Sequence, residues 1–150
     1  MKINNKKQAT KFKRIFFLVS IFIALSALVF FLIDLTIYGL ASVGVFSIWY
    51  LYFHVADYQF IEFSDEDNKV VLRFFKAILF GKAAYSSIEF PQQMLRKVYF
   101  ENSIFGKMSD ISFEVQTKRG VAEYPSVSLS AVPLKDRIKM QDALHKITYK

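Results

Sequence analysis

The chain contains no cysteine, which excludes disulfides, thiolate metal sites and cysteine nucleophiles but leaves the compartment open. Histidine is scarce as well. His54 and His145 are the only two, in distant segments; His54 reads as an interfacial polar group and His145 as a helix-surface residue with no second ligand at a suitable spacing. Glycine is sparse, and Phe80-Gly81-Lys82 lacks the spacing of a phosphate-cradling loop. A nucleophile-elbow pattern is also missing. The residues therefore nominate no catalytic group, no metal ligand and no cofactor. Acidic residues are absent from the first 33 positions, where Lys2, Lys6, Lys7, Lys11, Lys13 and Arg14 carry positive charge. From Asp57 onward there are 14 Lys+Arg against 12 Asp+Glu, so the net charge of +7 arises chiefly at the N-terminus. That asymmetry points to an anionic membrane surface and away from nucleic acid.

Apolar residues make up 53% of the chain and crowd into its first third. Ile15 to Ile33 is long enough to cross a bilayer core, which takes about 20 apolar residues as a helix. A cleavable signal peptide has a shorter apolar region, about 7–15 residues, followed by a small-residue cleavage site. Here Asp34 is followed at once by LTIYGLASVGVFSIWYLYFHVA, a second stretch of spanning length. The expectation is a retained two-span hairpin over 15–56, behind a basic tail over 1–14. Positive charge stays cytoplasmic, so both the N-terminus and the domain over 57–150 are expected on the cytoplasmic side. Trp49, Tyr50 and Tyr52 lie at the returning end of the second span, where aromatic rings favour the membrane interface, with His54 beside them. Gly39, Ala41, Ser42, Gly44 and Ser47 provide small residues for close packing, on the first span or on another subunit.

After Asp57 the pattern turns to alternation. Tyr58–Phe63 and Lys69–Phe75 read as a hairpin around the turn cluster Ser64–Asn68. Ser86–Phe90, Leu95–Asn102 and Asp110–Lys118 read as further strands, the last with Ile111, Phe113 and Val115 inward. Ser103–Ser109 reads as a loop. Pro125 breaks or edges the VAEYPSVSLS segment. Pro133 then opens an amphipathic helix with Leu134, Ile138, Met140, Leu144 and Ile147 on its apolar stripe. The fold class is α+β, in which that helix must bury its stripe against the sheet.

The final segment, Val127-Ser128-Leu129-Ser130 running into PLKDRIKMQDALHKI, resembles the end of bacterial PH-like domains, many of which follow two N-terminal membrane helices. The resemblance covers Tyr58 to Lys150 and the hairpin as an arrangement. It implies a bent antiparallel barrel of about seven strands with a C-terminal capping helix, serving as a binding or assembly platform and not as an enzyme. Phosphoinositide-binding PH domains use basic residues around their first hairpin. Lys69, Arg73, Lys76 and Lys82 are available here, but Asp65-Glu66-Asp67-Asn68 fills the turn, a departure from that pattern.

Arg73–Tyr85 interleaves Phe74, Phe75, Ile78, Leu79 and Phe80 with cations. Three readings are open for it: ordinary sheet core, a tip dipping into lipid headgroups, or a partner-binding patch. Candidate membrane-interface or partner contacts are Lys11, Lys13, Arg14, Trp49, Tyr50, Tyr52, Arg73, Phe74, Lys76, Phe80 and Lys82. The leading expectation is a non-catalytic accessory or scaffold subunit of a larger complex in the bacterial inner membrane, with self-association as a further option. The alternative is a lipid-binding or lipid-sensing module using residues 73–85. An enzyme or transporter role would need intramembrane polar groups, and the spans hold little beyond Ser, Thr and Tyr.

Overall fold

The computed structural model describes residues 1–82 and 84–149. A short strand β1 (Lys2–Asn4) runs through Asn5 into the helix α1 (Lys6–Leu32). The chain reverses at Asp34, in the left-handed region at φ 60°, and returns as α2 (Thr36–Ala56). Asp57, also left-handed at φ 44°, ends α2 and turns the chain directly into strand β2 (Gln59–Ser64). Both helices are long and apolar enough to cross a membrane. Their outward faces carry exposed Leu18, Phe22, Leu25, Ile37, Leu40 and Ile48. They pack on each other where Gly39 meets the ring of Phe31.

The N-terminal residues depart from the expected tail. β1 pairs antiparallel with β2, Ile3 opposite Phe63, and Ile3 is buried in the core. Lys6 already belongs to α1, so 1–14 is an edge strand followed by the helix's first turns. A three-residue strand is too short to display alternation, so periodicity does not reveal it. The helical hairpin is thus an insertion between two neighbouring strands of one sheet.

That sheet continues through β3 (Lys69–Lys76) and β4 (Ser86–Pro91) in the order β1-β2-β3-β4, all antiparallel. The second sheet holds β5 (Leu95–Ser103), β6 (Met108–Thr117) and β7 (Gly120–Glu123), with the short β8 (Val127–Ser128) also on β6. Among the described residues the strands form two separate antiparallel sheets facing one core. β5 starts with a bulge between Leu95 and Lys97. The extra residue shifts the alternation, so Leu95 is buried while Val98 and Phe100, which strict alternation would put on the opposite face, also pack on the core. β6 follows its expected pattern, with Ile111, Phe113 and Val115 buried.

Helix α3 (Leu134–Thr148) closes the core with Met140 and Leu144, while Ile147 packs at its edge. Leu134 and Ile138 are exposed instead of completing the stripe, because at about 100° per residue they lie on a different side of the helix from Met140, Leu144 and Ile147. Pro133 stands just before the first helical turn, at the N-cap. Each fully buried Leu, Val or Phe of this core contributes about 1.5–3 kcal/mol relative to solvent exposure.

Candidate functional site

A second apolar cluster forms where the helices enter the sheets. Ala9 and Phe16 of α1, Phe53 and Ala56 of α2, Tyr58, Ala77 and Ala131 are all buried there. Phe12 stacks on Tyr58 with ring centroids 4.1 Å apart, and Phe16 meets Phe53 at 5.2 Å. Trp49 lies 4.6 Å from Phe53. Aromatic pairs at such distances add about 0.5–1.5 kcal/mol beyond their area. The cluster therefore locks both helices to the domain.

Polar contacts complete the junction. Asn5 Nδ2 donates to the Gln59 carbonyl at 2.8 Å, and its Oδ1 accepts from the Ile61 amide at 2.7 Å. Ser128 Oγ donates to the Ala56 carbonyl at 3.3 Å, tying the end of α2 to the second sheet. Gln59 Nε2 donates to Asp57 Oδ2 at 2.6 Å, and Lys76 Nζ lies 3.6 Å from Asp57 Oδ1. Burial, assisted by a hydroxyl contact with Tyr52 at 3.2 Å, holds the Tyr58 phenol above its ordinary range.

Two loops flank this junction. On one side a cleft is lined by Phe16, Tyr50, Phe53, His54, Asp57, Lys76 and Leu79, with Phe80 at its rim. On another, Phe12, Tyr52, Tyr58, Lys107, Pro133 and Arg137 line a second recess. The Arg137 guanidinium donates to the carbonyls of Val132 at 2.8 Å and Gly106 at 3.0 Å, fastening the β5–β6 loop to the start of α3. Burial lowers the Arg137 pKa from its usual value.

The structure draws many of the sequence-nominated residues to this end of the molecule. Trp49, Tyr50, Tyr52, Lys76 and Phe80 surround the junction, while Lys11, Lys13 and Arg14 are exposed on α1 beside it. Lys82 is exposed next to Phe80. Arg73 lies apart, over a recess with Lys6, Phe60, Phe75 and Tyr85. Phe74 is partly buried and packs against the main core. The Arg73–Tyr85 stretch thus divides into a strand to Lys76, a buried Ala77, and a projecting loop beyond. Asn5, Phe12, Phe16 and Tyr58 were missed as site residues by sequence reasoning; Ser103–Ser109 was read as a loop, but its exposed Ile104 and Phe105 were not singled out. For that loop a signal existed: two large apolar residues beside a turn glycine.

The acidic turn lies at the far end of β3, about 24 Å of strand from Lys76. Asp67 and Asn68 both adopt positive φ, as a tight hairpin turn requires. Glu66 pairs with Lys2 at 3.1 Å, and the Asp65 carbonyl accepts from Gln92 Nε2 at 2.7 Å. These contacts give the turn a structural role in holding β1. Among the described residues no three His, Asp or Glu side chains converge as metal ligands. No protein-family model, curated protein or solved structure matches the chain.

Proposed function

We propose that this protein is a non-catalytic membrane-anchored platform: a PH-like module serving as an accessory or scaffold subunit of a larger complex in the bacterial inner membrane. The observation that carries this reading is the insertion of the hairpin between paired strands β1 and β2. Both ends of the hairpin continue into one sheet, so the domain has a fixed height and angle over the helices instead of a flexible tether. A rigid mount suits a part that must present a surface to a neighbour. The four-stranded first sheet, the second sheet and the C-terminal helix support the PH-like reading. The cations of the first 14 residues favour a cytoplasmic location for the domain, since β1 belongs to it.

The test is affinity purification of the full chain from native membranes in mild detergent, with mass spectrometry and stoichiometry. A larger membrane partner in fixed ratio is the expected result. Recovery of the chain alone, or only with copies of itself, overturns the accessory-subunit reading.

A second reading, contact with lipid headgroups through residues 73–85, is favoured by the exposure of Phe80 and Tyr85. It predicts that Phe80→Ser with Lys82→Ser lowers the anionic lipid that copurifies with the full chain. Unchanged lipid would count against it.

A further inference from the structure

Two loops of the domain carry the same four-residue pattern. Leu79-Phe80-Gly81-Lys82 lies between β3 and β4, and Ile104-Phe105-Gly106-Lys107 between β5 and β6. In both, the glycine adopts positive φ, +122° at Gly81 and +76° at Gly106, where a side chain would be strained. In both, the phenylalanine points outward: Phe80 is 73% exposed and Phe105 fully so. Ile104 and Phe105 are themselves held at positive φ, 50° and 54°, a conformation neither residue type favours. A strained backbone that ejects a large apolar side chain from the fold suggests a contact outside it.

The two loops flank the same helical hairpin. The Phe80 ring lies 6.0 Å from that of Phe17, one residue before Leu18, where α1 begins to present a strongly exposed apolar face. For the other loop, β6 gives the direction. Asp110 pairs with Ser128, which bonds the Ala56 carbonyl at the end of α2. Moving toward the tip, Met108 packs in the junction cluster and Lys107 lines the recess with Phe12 and Tyr52. Tyr52 lies one helical turn from Ala56 toward the apolar body of α2. The strand therefore descends alongside the hairpin, and Ile104-Phe105 forms its tip.

We propose that these two loops are a pair of membrane wedges, inserting Phe80 with Leu79 and Phe105 with Ile104 at the boundary between headgroups and acyl chains on either side of the hairpin. This deepens the lipid-contact reading and extends it to a second loop. Lys82 and Lys107 immediately after each glycine suit such a site, because a lysine stem can lie along apolar surface while its ammonium reaches lipid phosphate. The occupant is argued from continuity and duplication. The exposed phenylalanines extend the apolar surface of the helices, and a surrounding medium meets both sides of the hairpin at once. Lys11, Lys13 and Arg14, exposed on α1 beside the junction, add attraction to anionic headgroups.

The experiment uses the full chain with Trp49→Phe as background, reconstituted in phosphatidylcholine–phosphatidylglycerol vesicles. Single tryptophans are placed by Phe80→Trp, Phe105→Trp, Leu25→Trp and Arg119→Trp. Fluorescence is compared in ordinary vesicles and in vesicles brominated on the upper acyl chain. The expected result is quenching and a blue-shifted emission at both 80 and 105, with no loss at 119 in the distal β6–β7 turn. Quenching at 80 without 105 overturns the paired wedge while sparing lipid contact by residues 73–85. Quenching at 25 with neither loop quenched overturns both of those readings and spares the anchor. Absence of quenching at 25, even with deep bromination, overturns the membrane hairpin and the wedges together.

Discussion

Replacing Asn5 by alanine tests the joint between hairpin and sheet. Asn5 is 3% exposed, and its side chain serves both the Gln59 carbonyl and the Ile61 amide. Alanine would leave both backbone groups without those partners in the interior. Each orphaned group costs about 1–3 kcal/mol, so the pair costs about 2–6 kcal/mol. For a domain of this size, 1 kcal/mol moves the thermal midpoint by about 4–8 °C, so the loss should reach at least about 8 °C. The assay is near-ultraviolet circular dichroism of the full chain in mild detergent, with hydrogen exchange across residues 57–64. Exchange should rise first in β2, since Asn5 bridges to it across the start of α1. Asn5→Asp keeps the acceptor for Ile61 but loses the donor to Gln59 and buries a carboxylate, so it should be no more stable at neutral pH. A midpoint within about 2 °C of wild type for Asn5→Ala, with unchanged exchange in β2, would refute the reasoning.

Gly39→Val should weaken the pairing of α1 with α2, because a Cβ there comes within 2.8 Å of the Phe31 ring. Overpacking of that kind costs about 1–3 kcal/mol. Gly44→Val should leave the thermal midpoint in the same detergent unchanged, since nothing lies within 4 Å of its Cβ position. The Asp110 carboxyl is raised above the usual aspartate range by burial and by the charges of Asp57 and Glu101. The folded chain thus holds that proton more tightly than the unfolded one. The resulting stability is full below the ordinary aspartate pKa and is lost as pH rises through the folded value. Asp110→Asn should therefore raise the midpoint at neutral pH, with the advantage shrinking on acidification; a constant difference across a pH series would contradict this. Because the chain has no cysteine, Asp34→Cys and Arg119→Cys can report sidedness directly. An impermeant maleimide should label position 34 in intact cells and position 119 only after permeabilisation, and the reverse pattern would invert the proposed orientation.

The sequence was most informative where residues repeat a pattern over a long enough stretch. The two apolar helices, the strict alternation of Asp110–Lys118 and the turn at Asp67-Asn68 all declare themselves locally. What stayed hidden depends on partners distant in sequence. β1 is defined by its pairing with Phe63 and Glu62, about sixty residues away, and its own three residues carry no usable period. The bulge after Leu95 moved Val98 and Phe100 to the inner face, a shift that simple alternation does not encode. Phe74 illustrates the same point. Its neighbouring cations suggested a surface, yet its position in β3 turns it toward the core while Phe75 stacks on Phe60 on the other face. Of the residues at the junction, the aromatics at the end of α2 were legible from composition. Asn5 was not, because a lone asparagine in a basic segment acquires meaning only once β2 is beside it.

The placement of the hairpin also decides how force and position pass through the molecule. Were the helices joined to the domain only at Asp57, rotation about one short segment would free the sheets from the anchor. Here α1 and α2 leave from neighbouring strands, and the ladder between Lys2–Asn4 and Glu62–Ser64 couples their ends. Tilting one helix against the other must shear that ladder, break the Asn5 bonds or separate Phe12 from Tyr58. Any contact that changes the spacing or tilt of the helices would therefore be transmitted to the first sheet. The Ser128 bond to Ala56 and the packing of Met108 carry the same displacement toward the second sheet and the Ile104–Phe105 loop. Rigidity at the junction thus links helix arrangement to the posture of both loops. Cutting the chain between α2 and β2 would remove β1, and with it this coupling, so the soluble fragment over 57–150 should be less stable than the domain in the full chain, as side-by-side hydrogen exchange of β2 would reveal.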